Sequence, residues 1–256
     1  MIFDTHAHYD DEQFDIDREE LLGKMQESGI ETIVDVGASI ETTKKALELA
    51  HRYDFIYAAV GVHPSEVAEL DDDSIELLRG LSRDEKCVAI GEIGLDYHWP
   101  EPEPELQKLW FKRQLDLARQ ENLPVIIHSR DAATDTLEIL RDERAEEIGG
   151  VVHCFSYSKE VARECLKMGF YIGIGGVLTF KNARKMVEVM EDTPMDRILL
   201  ETDCPYLAPE PFRGKRNSSL YLPYVVSAMA QIKGVSEEEV ISITEANARE
   251  MYRLKA

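Results

Sequence analysis

Eight short apolar runs, rich in β-branched residues, alternate with amphipathic stretches along the whole chain, and this alternation constrains the fold more than any single residue. The runs fall at residues 2–8, 32–37, 56–62, 87–94, 125–128, 150–155, 170–176 and 198–203. Helical patterns occupy 18–28, 42–52, 74–81, 104–122, 133–141, 159–168, 182–190 and 221–232, and a last one spans 236–253. Gly29, Asn122 and Gly169 stand where helix C-terminal caps are expected, and Ser236 opens a capping box. Strands that alternate with helices pair in parallel through crossovers. Eight such units in 256 residues predict a single-domain (β/α)8 TIM barrel over 1–256, with an extra C-terminal helix. A doubly wound open sheet is the rival, but the first strand is not followed by G-x-G-x-x-G.

Composition narrows the function. The chain is 44 % hydrophobic and 31 % charged, with no apolar run approaching the ~20 residues of a membrane span. The opening Met1-Ile2-Phe3-Asp4 has neither a basic stretch nor a cleavage site, so no signal peptide is expected. Cys87, Cys154, Cys165 and Cys204 form no C-x-x-C pair and read as free thiols in a reducing cytoplasm. The net charge of −21 excludes a protein that coats nucleic acid, though not one that grips a single phosphate in a local cationic pocket. Nothing points to a membrane or to a stable protein partner.

In a barrel the C-terminal strand ends converge on one mouth, where the active site is built. The residues at those ends are His6 and His8, His63, Glu92 and Asp96, His128 and Arg130, His153, and Glu201 and Asp203. Five of the seven histidines are among them. In a strand, residues two apart share a face, so His6 and His8 can reach one point in space. Imidazole and carboxylate together suit Zn, Mn, Fe or Co, with Mg less at home among so many histidines. Six ligand-type side chains exceed the four that one zinc takes. Two divalent cations (Zn, Mn or Mg) bridged by Glu92 account for the count better: His6, His8 and Asp203 on one, His128 and His153 on the other. Such a pair, ~3.5–4 Å apart, activates water and clamps the attacking and leaving oxygens.

At these positions the chain resembles the TatD family of metal-dependent deoxyribonucleases. The resemblance rests on Asp4-Thr5-His6-Ala7-His8, Gly61-Val62-His63-Pro64, Gly91-Glu92-Ile93-Gly94-Leu95-Asp96-Tyr97, His128-Ser129-Arg130-Asp131, His153-Cys154-Phe155, Glu201-Thr202-Asp203-Cys204-Pro205 and Pro211-Phe212-Arg213-Gly214-Lys215-Arg216-Asn217. It runs from residue 3 to about residue 250. It implies an amidohydrolase-superfamily barrel with metal ligands His6, His8, Glu92, His128, His153 and Asp203. It also implies metal-dependent hydrolysis of DNA, often as a 3′→5′ exonuclease. The expected reaction is phosphodiester cleavage by a metal-activated water, with Asp203 as the base. The alternative is an amide or ester hydrolase on the same centre, such as a D-aminoacyl-tRNA deacylase.

The remaining expectations concern the surroundings. Arg130, His63 and Arg213 are candidate substrate contacts, and Arg213-Gly214-Lys215-Arg216 is the one dense basic cluster. Glu201 is expected to orient a histidine ligand. Asp96 is expected to pair with Arg130 or His63. Trp99, in the loop after the fourth strand, is a candidate for stacking on a base.

Overall fold

The eight apolar runs form eight strands in the computed structural model, which describes residues 1–254. They are β1 (Ile2–Ala7), β2 (Ile30–Val36), β3 (Ile56–Val60), β4 (Cys87–Asp96), β5 (Val125–Arg130), β6 (Gly150–Val152), β7 (Tyr171–Ile174) and β8 (Ile198–Leu200). All pair in parallel in sequence order from β1 to β8. An Ala7–Cys204 bridge brings β8 back to β1 and closes the barrel.

The helices around it are α1 (Arg18–Leu22), α2 (Ile40–Arg52), α3 (Asp72–Ser82), α4 (Pro104–Glu121), α5 (Ala133–Asp142), α6 (Lys159–Lys167), α7 (Arg184–Asp192), α8 (Leu222–Lys233) and α9 (Glu237–Met251). No helix among the described residues is long and apolar enough to cross a membrane. Helix starts are written locally: Ser39 with Thr42, and Asp71 with Ser74, form reciprocal capping boxes. Ser236 accepts only from the Glu239 N–H, one half of the expected box. Gly29, Asn122 and Gly169 take left-handed φ of 84°, 55° and 81°, as caps require.

Two apolar layers divide the core. Strand residues such as Ile33, Val60, Ile127 and Ile172 face outward and pack under the helices. Phe3, Val34, Val36, Ala59, Val88, Ile126, Val151, Tyr171 and Leu199 form a separate interior cluster with Ala248, Met251 and Tyr252 at the end of α9. The Tyr252 ring stacks on Phe3 at 5.9 Å and its hydroxyl donates to the Thr5 carbonyl at 2.7 Å. The extra helix therefore plugs the N-terminal end of the barrel.

Several expected boundaries move by two residues or more. The predicted helix over 18–28 breaks after Leu22 at Gly23, and only a 3-10 turn, Gln26–Ser28, follows. Glycine is a poor helix former, and buried Leu22 and Met25 anchor the broken segment. Helix α7 starts at Arg184 rather than 182. The eighth run leaves the ladder after Leu200. There the Asp203 N–H turns to donate to the His6 carbonyl at 2.9 Å, and the His8 N–H donates to the Cys204 carbonyl at 2.8 Å.

Candidate metal centre

The inward face of the strands changes chemistry two residues beyond the apolar plug. Ile126 is followed on the same parity by His128, Val151 by His153, and Leu199 by Glu201 and then Asp203. Glycine makes room where backbones converge: a Cβ on Gly94, whose φ is 144°, would overlap the His128 carbonyl oxygen. A Cβ on Gly173 would overlap the Glu201 carboxylate.

Glu92 lies at the centre. Its Oε2 is 3.7 Å from His6 Nε2 and 3.8 Å from His8 Nε2. Its Oε1 is 2.6 Å from His128 Nδ1 and also contacts His153 Nε2. One carboxylate thus presents a different oxygen to each histidine pair. Asp203 Oδ1 completes the first group, 3.5 Å from His8 Nε2 and 3.8 Å from His6 Nε2. The paired nitrogens point at one another, His6 Nε2 to His8 Nε2 at 3.1 Å and His128 Nδ1 to His153 Nε2 at 3.2 Å. Two imidazoles on one tetrahedral cation, with bonds of 2.0–2.1 Å, would have nitrogens about 3.3–3.4 Å apart. Donor set and spacing therefore fit divalent cations.

The electrostatics agree. Burial favours protonated Glu92, but the facing His153, His128 and His63 outweigh it and hold the carboxyl well below its usual range. Asp203 is likewise held low against burial, chiefly by His8. Burial also disfavours charge on His8 and His128, yet facing carboxylates raise these imidazoles to about 10 and about 9. These protons occupy the direction in which cations would approach, and metal binding displaces such protons. The His8 Nδ1 lies 2.7 Å from the Val36 carbonyl, which fixes a proton there and aims Nε2 at the cluster.

A family model described as TatD related DNase matches residues 3–253. The chain belongs to the TatD family. It is 49 % identical over 254 residues to the uncharacterized metal-dependent hydrolase YabD of Bacillus subtilis, covering 99 % of this chain and 100 % of that protein. It is 35 % identical over 257 residues to the 3′-5′ ssDNA/RNA exonuclease TatD of Cronobacter sakazakii, covering 98 % and 97 %. The crystal structure of YjjV, a TatD homologue from Escherichia coli K12, superposes with a TM-score of 0.93 at 32 % identity, covering 99 % and 98 %. This protein is a TatD-family metal-dependent hydrolase on a TIM barrel.

Around this TatD-type centre the other expected residues take varied places. Arg130 is exposed at the end of β5 and makes no ion pair or side-chain hydrogen bond among the described residues. His63 joins Glu92 and His128 in a single group, its Nε2 4.0 Å from Glu92 Oε1. The Ser65 N–H donates to His63 Nδ1 at 3.1 Å. Burial lowers this imidazole to about 3. His63 is therefore neutral, with its remaining proton on Nε2. Asp96 pairs with neither Arg130 nor His63: its Oδ2 meets His128 Nε2 at 3.2 Å, and its Oδ1 accepts from the His98 N–H at 2.9 Å. The Glu201 carboxylate groups with ring nitrogens of His6 and His153 and accepts from the Cys154 N–H.

The basic cluster divides. Arg216 forks onto Asp17 at 2.8 and 2.6 Å and reaches the Gln13 carbonyl at 2.6 Å, so it pins the loop. Arg213 is exposed, with its guanidinium 4.3 Å over the Phe180 ring. The sequence reading assigned no role to Asp4. Its buried carboxylate accepts from Thr202 Oγ1 at 2.7 Å, the Thr202 N–H at 3.0 Å and Ser219 Oγ at 2.6 Å. It ties the strand carrying His6 to the turn carrying Asp203. Its place in Asp4-Thr5-His6-Ala7-His8 was the available signal.

Proposed function

We propose that this protein is a divalent-metal-dependent phosphodiesterase that trims single-stranded DNA from its 3′ end. The observation that carries this reading is the two-sided Glu92 carboxylate, with one oxygen on His6 and His8 and the other on His128 and His153. In this reading His6, His8, Asp203 and Glu92 would hold one cation, and Glu92, His128 and His153 would hold a second. Cations held there supply Lewis acidity that lowers the pKa of water and neutralises phosphoryl charge. Asp203 takes the proton of the attacking water on its carboxylate, which the surrounding histidines keep ionised. The unpaired Arg130 guanidinium donates to a phosphoryl oxygen, and the His63 Nε2–H donates to the departing oxygen. Glu201 and Asp96 hold histidine rings in place.

Two features favour phosphate over an acyl carbon: Arg130 and the exposed Arg213. The exonuclease activity printed for the Cronobacter relative supports the same choice. Four free cysteines support a reducing, cytoplasmic setting. The test is metal analysis of the purified protein, followed by gel analysis of products from single-stranded DNA labelled at its 5′ end. A ladder shortened from the 3′ end is expected with added Mg, Mn or Zn. Cleavage of aminoacyl esters with DNA left intact would overturn the reading in favour of the deacylase.

A further inference from the structure

Two large aromatic side chains stand exposed at the mouth: Trp99, expected from the sequence as a candidate for stacking on a base, and Tyr206, which has no role above. Trp99 is 57 % exposed in the loop after β4, and Tyr206 is 51 % exposed in the loop after β8. In a closed barrel ordered β1 to β8, strands β4 and β8 are diametrically opposed. Each ring is tied to a different side of the cluster. Tyr206 lies edge-on to His8 with ring centroids 6.5 Å apart, and its hydroxyl donates to Asp11 Oδ2 at 3.1 Å. Trp99 packs edge-on against His98 at 4.8 Å. The His98 N–H is held by the carboxylate of Asp96 that contacts His128. Arg130, exposed and unpaired, belongs to the neighbouring strand β5.

Charge makes these rings matter. At a net charge of −21 the protein repels a polyanion at a distance. Cationic contacts at the rim are few, so a share of the affinity for a strand falls to contacts that need no cation, and base stacking on aromatic rings is such a contact. We propose that Trp99 and Tyr206 are stacking platforms on opposite rims. Each takes one base of a single strand whose scissile phosphate lies over the Glu92 cluster. The inference rests on the phosphodiesterase reading and deepens it: the substrate is single-stranded because paired bases present no free face to either ring. The strand is held mainly by its bases, so the salt dependence is shallow. Among the described residues the rim cations without a carboxylate partner include Arg130, Arg213 and Lys215, and three phosphate contacts give a slope in log affinity against log salt of about −2.

The test has a binding arm and a kinetic arm. The chain holds two tryptophans, and Trp110 is buried in α4 at 3 % exposure. Quenching of intrinsic fluorescence by a short oligodeoxythymidylate in the presence of chelator therefore reports on Trp99. It is expected in the wild type and absent in Trp99→Leu. In the kinetic arm, oligonucleotides with one abasic position next to the cleaved bond are compared with intact strands. The abasic strand is expected to raise KM by roughly 5- to 150-fold in the wild type. In Trp99→Leu, or Tyr206→Leu for the base on the other side, intact and abasic strands give equal KM. Trp99→Phe and Tyr206→Phe keep a ring and are expected to restore much of the difference. Equal KM for intact and abasic strands in a wild type that cleaves DNA overturns the platforms and leaves the nuclease reading standing. Equal handling of duplex and single strand, or a steep salt slope, does the same. If no strand is bound or cleaved with any of the three cations, the nuclease reading fails and the platforms fall with it.

Discussion

The two ends of the barrel are built from the same strands, two residues apart, and do opposite work. At the bottom, Phe3, Ile126, Val151 and Leu199 close on Met251 and Tyr252 in an apolar plug. At the top, the same face carries His153 and Glu201, both buried, and His128 and Asp203, which are half-buried. The bottom gains free energy by removing apolar surface from water. The top spends part of it, because burying ionisable groups is unfavourable until partners or cations compensate. The difference teaches that stability and chemistry are separable here, and mutations at the two ends should have opposite signatures.

The largest expected effect is at the top. Asp203→Asn keeps the shape of the side chain, but carboxamide is a poor base and a weaker ligand. DNA hydrolysis is expected to fall by about 10²–10⁴ from loss of the base alone, with loss of cation adding to it. Any fall in Tm should stay within the loss that chelation causes, and circular dichroism should be unchanged. Near-wild-type turnover with metal saturating would show that the proton is taken elsewhere. Phe3→Ala at the bottom is the mirror experiment. A buried Phe→Ala change costs about 3–5 kcal/mol, a fall in Tm of roughly 6–20 °C for a domain near this size. The folded variant should keep its metal content and its kcat/KM at a temperature well below its transition. Loss of metal from that variant would mean the two ends are coupled.

Much of this division could be read in the sequence, because the parity of a strand is local information. The steps Ile126 to His128, Val151 to His153 and Leu199 to Asp203 each lie within one run. They locate both the barrel interior and its polar end. What could not be read depends on residues distant in the chain meeting side chain to side chain. Asp4 is held by Thr202 and Ser219, about two hundred residues away, and no spacing rule connects them. Asp96 lies opposite Arg130 in the β4–β5 register, yet its carboxylate turns onto the His128 imidazole. Register fixes backbones; it does not fix which side chains meet. The break in the first helix at Gly23 and the turn that lifts Asp203 out of β8 are set by packing and closure of the barrel, which propensity does not report.

Removing cations gives a third, smaller contrast. Cations that bind only the folded state at one hundred times their Kd add about 2.7 kcal/mol. Chelation should therefore lower Tm by roughly 5–11 °C. Wild type and Phe3→Ala should lose the same amount, because changes at distant sites without shared partners add. Unequal losses would break the separation of the two ends.

The rim sharpens the comparison further. Arg130→Ala removes an unpaired exposed guanidinium, so the fold loses no partner. A charge-assisted hydrogen bond to phosphate contributes roughly 1.5–3 kcal/mol, or about a 10- to 150-fold loss in kcat/KM on DNA. An uncharged ester should be hydrolysed as before. Equal damage to both substrates would make Arg130 structural and weaken the case for phosphate.

The smallest effects belong to two arginines three residues apart, whose neighbours give them different tasks. Arg216 forks onto Asp17, with side-chain exposures of 30 % and 37 %, and lies over the Phe14 ring at 4.7 Å. It anchors the loop after β8 to the segment after β1. Arg213 lies over Phe180 with no carboxylate partner among the described residues. Arg216→Ala is expected to cost up to about 1 kcal/mol, the range of partly exposed ion pairs. That is a Tm shift of roughly 2–4 °C, with KM for DNA unchanged. Arg213→Ala should leave Tm alone and raise KM by about 2- to 5-fold, as an exposed and screened charge allows. The two measurements together decide whether the basic cluster is one phosphate site or an anchor beside a contact. If Arg216→Ala raises KM as much as Arg213→Ala does, the loop acts as a unit and the division drawn from its neighbours is wrong.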